Sequence, residues 1–194
     1  MNKRSAEQTR KRIGAAALKV FCEKGYRPAT IRKIAERAET SVGGVYLYFR
    51  NKEMLYREVI SEQAGIFQKQ MGPLREQSPY GALRSYILYN LDFALNKKEL
   101  VSLHLKDYDL KFMNSFRRSF FNSQKVLVEE ILKTGVERGT FTIKDCEHTA
   151  LLILFAIRGA ITSHVTHGAE DVHRLCDSIC NLLCANEDRE AARG

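Results

Sequence analysis

A chain of 194 residues, 44% of them hydrophobic, can bury one good core, or a small domain beside a larger one. No run of eighteen or more apolar residues occurs, so no membrane-spanning helix is expected. The first twelve residues, MNKRSAEQTRKR, lack the apolar stretch of a secretory signal. The net charge of +8 is unevenly placed: residues 1–50 carry 12 Lys/Arg against 4 Asp/Glu, and residues 51–194 carry 19 of each. All the excess positive charge therefore sits in the first quarter of the chain, as in a phosphate-binding module attached to a neutral body. Five cysteines without paired spacing suggest reduced thiols and a cytoplasmic location.

Only three prolines and no strand-like alternation predict an all-α chain of about nine helices. The first helix is expected over about 6–24, with Gly25 as its stop. Two short helices follow over 30–47, and a fourth runs from about 51 to 71. Gly72-Pro73 and Ser78-Pro79 punctuate the next link. Periodic segments then cover 80–96, 98–106, 108–138, 145–167 and 169–186. Gly139 ends the long third one, while Asp145 and Ala169-Glu170 open the last two with negative charge near the helix dipole's positive end. The tail NEDREAARG is polar and expected to fray. The domain expectation is 1–52 for the first module, 53–78 for a connecting helix and linker, and 79–194 for a helical second domain.

The stretch from Thr30 to Leu55 carries the chemistry. Thr30 and Ser41 are natural N-caps, each able to accept from first-turn N–H groups. Ile34, Ala35 and Ala38 share one face, and Val45 and Phe49 repeat it four residues apart. Small Ala35 lets a second helix cross close by. This is the pattern of a helix-turn-helix, whose second helix meets base edges while the first crosses the backbone. Arg32 reaches either a guanine edge or a phosphate. Thr40 and Ser41 offer hydroxyls and N–H groups at a helix start. Gly43 and Gly44 allow close backbone approach, and Val42 suits a thymine methyl. Tyr46 and Tyr48 can donate phenolic hydrogen bonds. Val42-Gly-Gly-Val45 holds few polar tips, so specificity is expected to lean on close fit, Arg32, Tyr46 and DNA shape.

Thr30, Ile34-Ala35, Ala38, Ser41, Gly43, Tyr46-x-Tyr48-Phe49, Lys52 and Leu55 together resemble the DNA-binding signature of the TetR family of transcriptional regulators. Ile13, Ala16, Ala17, Phe21 and Gly25-Tyr26 resemble the family's first helix and turn. The resemblance is strong over roughly residues 9–60 and rests on length and helical patterning beyond. It departs at Glu39, where the family usually has Gly, and at Thr40, where it has an apolar residue. A positive φ at Glu39 would cost about 1 kcal/mol. The resemblance implies that Tyr46 and Tyr48 face DNA and that Lys52 binds phosphate. It also implies a C-terminal effector-binding and dimerisation domain, and a homodimer on a near-palindromic operator.

The same resemblance places an inducer pocket among the middle helices. Its candidates are Tyr86, Tyr89, Phe93, Phe112, Phe116 and Phe120, with Phe121 nearby, although aromatics at helical spacing also suit a plain core. Phe155 and Arg158 join them from the apolar run LLILFAIRGAI. There Arg158 needs either an internal carboxylate or an acidic ligand head group. His104 and His164 are possible hydrogen bonders or ordinary structural histidines. The expected dimer face comprises Ile157, Ile161, Leu175, Cys176, Ile179, Cys180 and Leu183. His173, Cys176, Cys180 and Cys184 recur at helical spacing, but their span of ~16 Å is too long for one tetrahedral metal site. They read as small buried residues or as a thiol switch across the two-fold axis. No phosphate loop, nucleophile elbow or metal cluster is evident, so no catalysis and no cofactor are expected. The function expected is a ligand-responsive dimeric DNA-binding regulator, most simply a repressor released by a small, mainly apolar effector. The alternative is an architectural or partner-binding protein of the same fold without an effector.

Overall fold

In a computed structural model, residues 3–167 and 172–184 are described. Among these residues the regular structure is helical apart from an isolated antiparallel bridge between Phe141 and Cys184. Nine α-helices are seen among these residues: α1 (Lys3–Lys24), α2 (Ile31–Arg37), α3 (Val42–Tyr46), α4 (Lys52–Lys69), α5 (Pro79–Asn96), α6 (Lys98–Lys106), α7 (Asn114–Glu137), α8 (Cys146–His167) and α9 (Val172–Leu183). The expected opening of the last helix at Ala169-Glu170, the side chain of His173 and the tail from residue 185 lie outside the described residues.

Local chemistry sets most boundaries. Gly25, at φ 80°, ends α1 as its N–H closes onto the Phe21 carbonyl at 2.7 Å. Thr30 Oγ1 accepts from the Lys33 N–H, and Ser41 Oγ from the Gly44 N–H at 2.9 Å. Asn51 Oδ1 caps α4 through the Met54 N–H, and Ser78 Oγ caps α5 just before Pro79. Asp145 caps α8 by accepting from the His148 N–H at 2.9 Å. Gly139, at φ 73°, follows the end of α7.

The segment 108–138 is not one helix. Leu110 and Met113, both buried, are three residues apart, and a 3₁₀ turn over Lys111–Met113 delivers both inward. The long helix starts only at Asn114.

The chain divides into two compact units, Met1–Lys69 with Glu99–Ser115, and Gln70–Lys98 with Phe116–Gly194. Residues 99–115, expected within the second domain, thus cluster with the first unit. Their anchors there are buried: Leu103, Asp107, Leu110 and Met113. In the first unit α1 packs on α4 and α2, and α2 on α3. Its core holds Ile13, Ala17, Phe21, Ile34, Val45, Leu55 and Ile60. The second unit packs α5 against α8 and α9. Its interior holds Leu83, Tyr86, Ile87, Val128, Leu132, Ala150 and Cys176. In α7, Gly135 leaves room for Phe141, whose ring would lie 2.0 Å from a Cβ at that position.

One helix passes a composition-only test for a membrane span, a test that the apolar core helix of a helical protein also passes. Over Cys146–His164, α8 is long and apolar enough by composition to cross a bilayer. Several of its apolar side chains also face outward, including Leu152 and Phe155.

Candidate nucleic-acid interface

The reading head is built by burying one side of two short helices and exposing the other. Ile34, Ala35, Ala38, Val45 and Phe49 are all nearly or fully buried. The opposite surface presents Val42 at 41% exposure, Tyr46 at 51% and Leu47 at 80%. Thr30, Arg32, Ser41 and Gly43 are exposed, and Thr40 and Tyr48 are partly so. Apolar tips at such exposure cost little only if they meet a partner surface, which suits base methyls and sugars in a groove. Leu47 was missed in sequence; its place between two tyrosines gave no polar signal.

The turn between the helices carries the strain anticipated at Glu39. Among the described non-glycine residues it alone has a positive φ, 50°. The Thr40 N–H returns to the Ala35 carbonyl at 3.0 Å, tightening the turn. A Cβ on Gly44 would lie 2.4 Å from Thr40 Oγ1, whereas one on Gly43 would meet nothing closer than 3.8 Å. Gly44 therefore serves packing, and Gly43 leaves its surface low.

Several of the basic residues are held in exposed ion pairs. Arg32 Nε lies 3.1 Å from Glu36, and Arg37 lies 2.5 Å from Glu23. Such exposed pairs are weak, so the guanidinium groups are cheaply released to phosphates. Arg10 lies over the Phe49 ring at 5.0 Å and is hydrogen-bonded to Glu58.

Lys52 does something the sequence did not suggest. Its Nζ donates to the carbonyls of Tyr26 at 2.9 Å, Arg27 at 3.2 Å and Ala29 at 2.8 Å. It also lies 4.4 Å from the Tyr26 ring centroid. Burial pushes its amine down, and the Asp107 charge opposes that shift. The expected phosphate lysine is thus engaged in fixing the turn after α1.

The expected pocket residues are divided. His104 and Phe112 belong to the first unit, and the other seven to the second. Phe112 packs beside Tyr26 and Tyr56, with ring centroids at 5.0 and 5.9 Å. Tyr86 is fully buried and donates to Gln124 Oε1 at 3.1 Å, so it serves as core. Tyr89 and Phe93 are neighbours at 6.2 Å, as are Phe116 and Phe120 at 6.3 Å. Phe155 is 55% exposed and stacks near Phe121 at 6.0 Å. Arg158 is exposed, which corrects the expectation of a buried guanidinium: it lies on the outward side of α8. A separate open groove of about 350 Å³ in the second unit is lined by Leu74, Ala82, Leu127 and Ile131, with Arg75 and Arg138 among its polar residues. It includes none of the expected pocket residues.

The residues expected at a dimer face differ in exposure. Ile157, Cys176 and Cys180 are buried inside the chain itself and so cannot face a partner. The same burial argues against an intersubunit disulfide through Cys176 or Cys180. Ile161, Leu175, Ile179 and Leu183 are partly exposed, while Leu152, Phe155 and Leu182 are 68%, 55% and 75% exposed.

A basic N-terminal unit with two capped, crossing helices defines a helix-turn-helix DNA-binding regulator. A family profile described as "Bacterial regulatory proteins, tetR family" matches residues 13–59. The chain is 25% identical over 178 residues to the Fatty acid metabolism regulator protein of Bacillus subtilis, covering 87% of this chain and 90% of that one. It is 26% identical over 160 residues to the HTH-type transcriptional repressor NicS of Pseudomonas putida, covering 78% and 74%. Its fold matches the transcriptional regulator FadR from Bacillus subtilis, solved in complex with stearoyl-CoA, with a TM-score of 0.77 at 24% identity over 90% of this chain and 97% of that one. Residues 13–59 thus resemble the DNA-binding segment of the TetR family of transcriptional regulators.

Proposed function

We propose that the protein is a homodimeric repressor that holds a near-palindromic operator and is released by a small, mainly apolar effector. The observation that carries the reading is the exposed row Val42, Tyr46 and Leu47, set within residues 1–50, which hold the chain's whole excess of positive charge. Thr30, Arg32, Thr40, Ser41, Gly43 and Tyr48 complete the DNA-facing set. One head gives modest affinity, and a two-fold pair of heads matches a palindrome. The uncovered Leu152, Phe155 and Leu182 support a second copy as partner, with Ile161, Leu175, Ile179 and Leu183 beside them. The relative solved with stearoyl-CoA supports an acyl-type effector held by the second unit. Effector binding then shifts the population toward a conformer that fits the half-site spacing less well, which requires unequal affinity for the two states.

Selection of bound duplexes from a random pool tests the DNA part directly. An enriched inverted repeat is the expected outcome, and a pool without enrichment refutes the reading. Adding a long-chain acyl-CoA to the selected complex then tests the effector class, with release expected.

A further inference from the structure

The turn that leads into the reading head is held by a residue far from it in sequence. Asp107 is 5% exposed, and its Oδ2 accepts two hydrogen bonds. One comes from the Tyr26 N–H at 2.9 Å, across 81 positions, and the other from the Tyr56 hydroxyl at 3.1 Å, across 51. Both donors belong to the frame of the DNA-binding unit: Tyr26 lies in the turn between α1 and α2, and Tyr56 in α4. Their rings pack edge to face at 5.1 Å. Lys52 gathers three carbonyls of the same turn. Arg27 adds an exposed pair to Asp109 at 2.5 Å. Thr30, which caps α2, begins only three residues after Arg27.

A carboxylate buried this deeply is costly unless its oxygens are satisfied by well-placed donors. The donors here fix the position of the turn, and the turn fixes where α2 begins. We propose that Asp107 is a positioning residue for DNA binding, acting through Tyr26 and Tyr56 to hold α2 and α3 at the angle the groove requires. This rests on the reading of residues 30–48 as the DNA-contacting surface. Asp107 touches no DNA in this scheme. It sits in the segment Glu99–Ser115, which the chain reaches from the second unit and leaves to return there. The reading head is therefore positioned by a piece of chain covalently continuous, on both sides, with the other unit.

The test compares Asp107→Ala and Asp107→Asn in the full chain for affinity toward the selected operator, counted per folded protomer, with melting measured alongside. Loss of the acceptor is expected to weaken binding about tenfold in Asp107→Ala, while Asp107→Asn, which keeps an acceptor oxygen, stays within about threefold of wild type. A purely structural role would lower melting and folded fraction but leave affinity per folded protomer unchanged, and that result overturns the proposal. Equal weakness of both variants overturns it too, because charge rather than acceptor geometry would then matter. If Asp107→Ala does not fold, amide exchange of the wild-type chain decides. Slower exchange at Asp107 and Leu110 with operator bound supports the positioning role, and unchanged exchange refutes it. Wild-type protein that selects no DNA refutes the regulatory reading itself, and the positioning role with it.

Discussion

Glu39 shows how much a single position can tell. The spacing of two helices around a tight turn demands a left-handed residue there, and the backbone at φ 50° supplies it without glycine. Glu39→Gly is expected to raise unfolding stability by about 1 kcal/mol, read from denaturant midpoints. An unchanged or lowered midpoint would mean the turn is not strained. Lys52 teaches the opposite lesson. Its position in the motif suggested a phosphate contact, yet three carbonyls engage its amine. Lys52→Met is expected to cost roughly 1–3 kcal/mol of stability in DNA-free protein, because charge-assisted hydrogen bonds are lost. A lysine serving phosphate alone would leave that stability untouched. Asp107 could not be identified from sequence, since both of its partners lie more than fifty positions away.

At the scale of elements, short helices depend on their ends. α3 has five residues, too few to persist on intrinsic propensity. It stands because Ser41 caps it and Val45 is buried. Ser41→Ala is expected to destabilise the first unit by about 1 kcal/mol and Thr30→Ala by a similar amount, measured by thermal melting. Melting that stays at the wild-type value in both would show that packing alone sets these helices. Both caps were legible because capping is a local matter of one side chain and the next turn. The start of α7 was not, because burial of Leu110 and Met113, rather than propensity, selects the 3₁₀ turn before it. Tyr86 was ambiguous for a related reason. An aromatic at helical spacing serves core or pocket alike, and only the hydrogen bond to Gln124 makes it core.

For the whole molecule, the exposed apolar side chains on α8 and α9 are the feature to test. Leu152→Glu combined with Phe155→Glu is expected to halve the mass seen by sedimentation and to abolish tight operator binding. A dimer of unchanged affinity would place the partner face elsewhere. The resemblance implies a partner face on these two helices, but their apolar surface is wider than a partner can reach. Burial inside the chain claims Ile157, Cys176 and Cys180 and leaves Leu152, Phe155 and Leu182 uncovered.

By itself the sequence determined the all-helical class, the two caps, the strained turn and the basic head, because periodicity, capping and charge are properties of neighbouring residues. Tertiary structure alone decided which side of each apolar helix turns outward. It also decided that residues 99–115 join the first unit and that Asp107 and Lys52 pin the turn before α2. Those outcomes depend on which distant groups meet, and a buried carboxylate or amine takes its role from the partners that satisfy it.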